Sequence, residues 1–154
     1  RERSRHVSTI RCMKKIISKS PAETLHWAMK LAATLKGEEV FSLEGNPGAG
    51  KTVISKGIAS GLGIKEVVNS PTFVLMKVYS VANKSAIKKL VHVDAYRLNS
   101  GEELLNIGLS DYLSRPDTVV LIEWGDKVME ILPKDFIRIQ IEQVSETQRK
   151  IVMA

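Results

Sequence analysis

Residues 45–52 read Gly-Asn-Pro-Gly-Ala-Gly-Lys-Thr, which satisfies the phosphate-loop pattern G-x-x-x-x-G-K-[ST]. Gly45, Gly48 and Gly50 accept backbone angles that a side chain forbids, so successive N–H groups can turn inward around phosphate oxygens. Asn46, Pro47, Gly48, Ala49 and Gly50 form that cradle. Lys51 supplies a cation for the β- and γ-phosphates, and Thr52 a hydroxyl ligand for a nucleotide-borne magnesium. A helix starting at about Lys51 adds its positive dipole end.

Acting on a bound phosphate takes acidic groups as well, and two apolar runs end in one. Leu90-Val91-His92-Val93 is followed by Asp94, and Val119-Val120-Leu121-Ile122 by Glu123. A carboxylate at either place can hold a magnesium-bound water or orient the water that attacks the γ-phosphate. The competing reading of each is a solvated residue at a strand end. The sequence leaves open which acid touches the metal directly. His92 lies on the same strand face as Asp94 and reads as a buried structural histidine. Trp124 either flanks a base or fills the core. Ser70-Pro71-Thr72-Phe73 reads, taken alone, as a turn that begins a strand.

These residues need elements to carry them. Val40–Glu44 reads as a buried strand, and Val53, Ile54, Ile58 and Leu62 recur at helical spacing up to Gly61-Leu62-Gly63. Strand, glycine loop and helix is the order that the chemistry requires. Ser20-Pro21-Ala22-Glu23 is a capping box opening a helix, with Leu25, Ala28, Met29, Ala32 and Leu35 on one face and a stop near Gly37. Thr72–Val81 and Lys88–Tyr96 hold strands joined by a loop at 82–85. Ser100–Glu103 predicts a second capping box, opening a short helix through Leu104 and Leu105. Val119–Ile122 is the run of a covered central strand. A short helix is expected over Asp126–Leu132, then strands at Phe136–Ile141 and Arg149–Met153. The whole predicts a single-domain α/β fold, a central, mixed and partly parallel sheet flanked by helices, with its ligand at the carboxyl ends of the strands.

The chain has 154 residues, 44% of them hydrophobic, and a net charge of +6. That charge sits in residues 1–20, where Arg1, Arg3, Arg5, Arg11, Lys14, Lys15 and Lys19 face only Glu2. The remainder is neutral, so the basic balance describes a tail rather than a folded surface. Residues 1–15 are therefore assigned to a basic tail or extension and 16–154 to the phosphate-loop domain. The tail is a targeting remnant, an RNA-touching arm or an extension without a role; Met13-Lys14-Lys15-Ile16-Ile17 reads like an ordinary bacterial start, which favours the last. No apolar run approaches the ~18 residues of a membrane span, so no membrane partner is expected. The single cysteine, Cys12, excludes an intramolecular disulfide and fits a reducing, cytoplasmic compartment.

Absences narrow the nucleotide. The guanine-reading Asn-Lys-x-Asp motif does not occur, since Asn83-Lys84-Ser85-Ala86 lacks the acid. There is no Leu-Ser-Gly-Gly-Gln transporter signature, no room for an added helical lid domain, and no arginine-rich lid. Adenine is favoured over guanine by elimination, and with the phosphate-loop reading the expected cofactors are ATP or ADP and Mg²⁺.

In order and spacing, several uncommon motifs resemble the TsaE (YjeE) family, the P-loop ATPases of bacterial tRNA threonylcarbamoyladenosine synthesis. They are Glu23-Thr24, Gly-Ala-Gly-Lys-Thr at 48–52, Ser-Pro-Thr-Phe at 70–73, His-Val-Asp-Ala-Tyr-Arg at 92–97, Glu102 with Gly108, Ile-Glu-Trp at 122–124 and Leu-Pro at 132–133. The resemblance covers roughly residues 16–152. It implies that Lys51 and Thr52 bind phosphate and magnesium, that Asp94 and Glu123 belong to the metal and hydrolysis site, and that Thr72 acts as a switch-like threonine. It also implies that Thr24 and Trp124 lie near the nucleotide, and that Tyr96 and Arg97 are functional. The implied role is an ATP-hydrolysing accessory subunit, slow alone, that supports the partners TsaB and TsaD and touches tRNA only indirectly. The alternatives are a free-standing small-molecule kinase and a non-hydrolysing nucleotide-binding subunit. The chain departs from the family pattern at Asn46, Pro47, Val53 and Gly125, where Asp, Leu, Thr and Pro are usual. The first two are expected to tune turnover, and Gly125 to loosen the segment after Glu123.

Overall fold

The computed structural model describes residues 15–82 and 85–154. Seven strands form one mixed sheet: β1 (Lys15–Ser18), β2 (Val40–Glu44), β3 (Met76–Ser80), β4 (Lys89–Asp94), β5 (Thr118–Glu123), β6 (Ile137–Gln143) and β7 (Arg149–Met153). Their spatial order is β1-β7-β6-β2-β5-β4-β3. The inner four, β6, β2, β5 and β4, run parallel, while β3, β7 and β1 are antiparallel additions at the edges. Every residue of β2 and β5 is buried, as continuous apolar runs in a doubly covered parallel sheet require. β6 lies nearer an edge and alternates, burying Ile137, Ile139 and Ile141.

Helices α1 (Pro21–Ala32) and α2 (Lys51–Gly61) cover one face. They approach closely because small residues recur one turn apart on both. A side chain begun at Gly57 would meet the Ala28 Cβ at 2.5 Å, and one at Gly61 the Ala32 Cβ at 2.6 Å. Anything larger would push the helices apart and leave voids over Ile54, Ile58 and Leu31. The other face is covered by the short helix α3 (Glu102–Asn106) and single 3-10 turns, over a second core of Val91, Val93, Val120, Ile122 and Leu104.

Several local expectations are corrected. α1 stops at Ala32, short of Gly37, although Leu35 is still buried; its inner face is Thr24, Ala28, Leu31 and Ala32, and Met29 is partly exposed. At its start Ser20 caps the Glu23 amide, but the Glu23 carboxylate reaches the Lys19 N–H, one residue earlier than a capping box predicts. Ser100 does not cap α3: the N-cap is Gly101, whose N–H is taken by the Glu130 carboxylate. Asp126–Leu132 is two 3-10 turns, Gly125–Lys127 and Met129–Ile131, rather than one helix. Thr72–Leu75 is a turn, so β3 begins only at Met76. β1 was not foreseen; it completes the sheet by pairing Ile16 with Ile151 of β7. Asn83 and Lys84 of the expected β3–β4 loop, and residues 1–14 of the tail, lie outside the described residues.

Candidate functional site

The glycine loop leaves the carboxyl end of β2, and β4 and β5 end beside it. Asp94 and Glu123 are register partners on adjacent strands, and Leu43 of β2 pairs with Glu123 on the other side. The sheet therefore brings to one edge three segments that are far apart in sequence. They line a cleft of about 470 Å³ with Pro47, Gly48, Gly50, Lys51, Thr52, Asp94, Glu123 and Trp124, joined by Val53, Ser70 and Tyr96.

Gly48 and Gly50 hold φ angles of 79° and 120°, the region that glycine alone enters freely. The first helical bond into the loop runs from the Ile54 N–H to the Gly50 carbonyl. The amides of Lys51, Thr52 and Val53 thus lack a carbonyl one turn back and stand at the positive end of α2. Lys51 is buried and folds over the loop: its Nζ donates to the Gly45 and Asn46 carbonyls at 2.7 and 2.9 Å and lies 4.1 Å from the centre of the Trp124 ring. Burial lowers its pKa below the ordinary lysine value, against the opposing pull of Glu123, Asp126 and Asp94.

Glu123 is almost fully enclosed. Its Oε1 accepts from the Thr52 hydroxyl at 3.0 Å, and its Oε2 lies 2.5 Å from His92 Nε2. Asp94 accepts on Oδ2 from Ser70 at 2.5 Å and Thr72 at 3.1 Å, and on Oδ1 from the Tyr96 N–H at 2.9 Å. Trp124 takes a left-handed φ of 63°, fixed by its N–H on the Leu43 carbonyl at 2.8 Å. This turn swings the indole over Lys51 and against Tyr96, with 5.0 Å between ring centres. Trp124 is thus a wall of the cleft at its lysine end. Gly125 is buried directly against Ser42, with no space for a side chain.

The remaining predicted residues surround the cleft rather than line it. Thr72 meets the cleft through Asp94. Thr24 is buried, shares a 2.6 Å hydrogen bond with Ser18, and lines a smaller cavity of about 180 Å³ on the other flank of the loop with Pro21, Gly48, Ala49, Gly50, Val53, Thr147 and Arg149. Ala49 spends its N–H on the Asn46 carbonyl, and Asn46 itself faces a separate polar groove beside β6. Arg97 packs on the exposed Phe73 ring at 5.1 Å, away from the cleft lining. Sequence reading missed Ser70 and the contact from His92 to Glu123. Both had a signal: Ser70 is the second hydroxyl of Ser-Pro-Thr, and period-two geometry puts His92 on the Asp94 face. It also missed Arg149 beside the loop, for which no local pattern exists.

The donor set suits a magnesium ion that travels with phosphate. Thr52, Glu123 and Asp94 offer hard oxygens, and among the described residues no three His, Cys, Asp or Glu side chains are grouped to hold a metal by themselves. Among the same residues, no helix is long and apolar enough to cross a membrane.

The chain is similar to known proteins over most of its length. The family model for the threonylcarbamoyl adenosine biosynthesis protein TsaE matches residues 18–151. The tRNA threonylcarbamoyladenosine biosynthesis protein TsaE of Bacillus subtilis (strain 168) is 39% identical, over 86% of this chain and 79% of that protein. The protein of the same name from Treponema pallidum (strain Nichols) is 36% identical, over 90% of this chain and 98% of that one. The crystal structure of Bacillus subtilis YdiB superposes with a TM-score of 0.74 at 35% identity, covering 91% of this chain and 84% of that one. With a family match that spans the strand–loop–helix unit and both acidic strands, the chain belongs to the TsaE family.

Proposed function

We propose that the chain binds Mg-ATP across its glycine loop, hydrolyses it slowly, and by this cycle supports threonylcarbamoyladenosine formation in tRNA in the cytoplasm, alongside TsaB and TsaD. The observation that carries the reading is the contact between Thr52 and Glu123, 71 residues apart in sequence and joined at the mouth of a phosphate loop. Such a pair suits a metal-dependent phosphoryl site better than a passive phosphate grip.

In this reading the free amides at the start of α2 take the phosphates, and Lys51 leaves the Gly45 and Asn46 carbonyls for the γ-phosphate. Magnesium, when bound, neutralises charge on the β- and γ-phosphates. Thr52 and Glu123 would help to hold such an ion, and His92 holds the second Glu123 oxygen still. Glu123 is then placed to orient the attacking water. The small cavity of Pro21, Thr24 and Val53 takes the base, and Trp124 stands at the γ-phosphate end. Trp124 fluorescence, with Trp27 replaced by Phe, should respond more to a non-hydrolysable ATP analogue than to ADP; equal responses would move the indole to the base.

The main test is ATP hydrolysis by the chain alone and with TsaB–TsaD, together with restoration of modified adenosine in cells lacking the native ATPase. A slow rate altered by the partners, and restoration, are expected. Phosphate transfer to a metabolite would favour a kinase, and binding without turnover in any mixture a structural subunit.

A further inference from the structure

Two cations share the carbonyls of the glycine loop. Lys51 takes those of Gly45 and Asn46. Arg149, the first residue of β7, takes the next pair: its Nε donates to the Ala49 carbonyl at 2.8 Å and its Nη2 to the Gly48 carbonyl at 3.4 Å. Its Nη1 is shared among the carbonyls of Ser145, Glu146 and Gln148, which fixes the guanidinium to the β6–β7 turn. Arg149 and Ala49 are 100 residues apart in sequence, so this clamp exists only in the folded sheet.

The consequence follows from peptide geometry. In a trans peptide the N–H points opposite to the C=O. Holding the Ala49 carbonyl toward β7 therefore aims the Gly50 N–H to the other side, where Gly50 and Lys51 line the cleft. Gly50 must be glycine to hold a φ of 120°, but the same freedom lets the Ala49–Gly50 peptide turn over at little cost. A flipped peptide would present a carbonyl oxygen to a phosphate oxygen. The guanidinium selects between the two orientations, and its planar fork matches two adjacent carbonyls in a way that a point-like ammonium does not.

We infer that Arg149 is a positioning residue for phosphate binding: it holds the Gly48 and Ala49 carbonyls outward, so that the Gly50 amide faces the phosphates before nucleotide arrives. This rests on the nucleotide reading above. It makes the β6–β7 turn part of the phosphate site, although Thr147 and Arg149 line only the smaller cavity and not the main cleft; tripolyphosphate, which has no base, separates the positioning role from contact with the base.

The test compares the full chain with Arg149→Ala, Arg149→Lys and, as a neighbouring control, Lys150→Ala. ADP and inorganic tripolyphosphate are titrated against each, and the Gly50 amide is followed by nitrogen-15 NMR. Loss of charge-assisted hydrogen bonds predicts about tenfold weaker binding of both ligands in both Arg149 variants, with Lys150→Ala unchanged. The free-state Gly50 amide resonance should be displaced or broadened in the Arg149 variants while melting temperatures of Arg149→Lys and the wild type agree. Unchanged affinity in Arg149→Ala overturns the inference. So does full recovery in Arg149→Lys with an undisturbed Gly50 amide, which would reduce Arg149 to a general positive charge. If Arg149→Ala does not fold, the Arg149→Lys arm decides on the same two readouts. Failure of the wild-type chain to bind either ligand would remove the nucleotide reading itself, and this one with it.

Discussion

Asp94 and Glu123 sit opposite each other at the ends of neighbouring parallel strands, yet their surroundings differ in kind. Glu123 is held by partners from packed elements: Thr52 at the start of α2 and His92, which has no exposed surface, in the middle of β4. Asp94 is held by a turn. Two of its partners, Ser70 and Thr72, belong to the segment before β3, whose neighbouring side chains Phe73 and Val74 are 86% and 65% exposed. A carboxylate locked into the core keeps one geometry; a carboxylate that ties down an exposed turn reports on that turn's position. The same acid chemistry, one strand apart, is thus built for orientation in one case and for coupling in the other.

Exchanging the two acids for neutral residues tests this division. Glu123→Ala should retain Mg-ATP binding within a few fold, since the loop amides and Lys51 are untouched, but lose turnover by about 10²–10³-fold, as expected when a group that orients a reacting water is removed. It should also fail to restore modified adenosine in cells. Full turnover in this variant would remove Glu123 from the chemistry. Asp94→Asn should act more weakly on the rate, about tenfold, and differently on the structure. Amide hydrogen exchange in residues 70–75 should accelerate, because the amide side chain can no longer accept as strongly from two hydroxyls and a backbone N–H at once. If exchange in that segment accelerates equally in Glu123→Ala, the two corners are one network and the distinction fails.

How far sequence reached differs between the same two corners. The glycine loop, both acids and the strands that deliver them were legible, because each strand is a continuous apolar run ending in a charge, and the loop has a fixed spacing. The ends of short helices were not. Ser100 lost its capping role when Glu130, from a segment 29 residues away, took the Gly101 amide. α1 stopped early because Ala33 to Leu35 close tight turns onto Met29, Leu31 and Ala32. β1 was hidden in a basic segment with few apolar residues around Ile16-Ile17; its pairing with β7 is a tertiary choice that local pattern does not encode. The His92–Glu123 contact is intermediate: period two puts His92 on the right face, but only the register with β5 decides what it meets.

The smallest expected effect concerns Lys51, which lies between the two corners. Burial lowers its pKa below 10.5, and the opposing carboxylates, Glu123 first, then Asp126 and Asp94, do not restore it. The ammonium is the phosphate-binding form. Above the free protein's Lys51 pKa, binding must take up a proton, and affinity falls by up to about tenfold per pH unit. The fall therefore begins at lower pH than an exposed lysine would give. The same shift has the opposite sign for folding: a base with a depressed folded pKa disfavours the folded state while protonated in both states, and this cost disappears as pH rises through the folded pKa toward 10.5. Because Glu123 is the larger of the two strand-end influences, Glu123→Gln should move the onset further toward neutral pH than Asp94→Asn does. Titrating ADP in EDTA from about pH 7 to about pH 11 against the three proteins measures the order. An onset at the ordinary lysine value in all three would mean that Lys51 is solvated before nucleotide binds; a larger shift from Asp94→Asn would place the lysine against the turn-bound acid instead of the core-bound one.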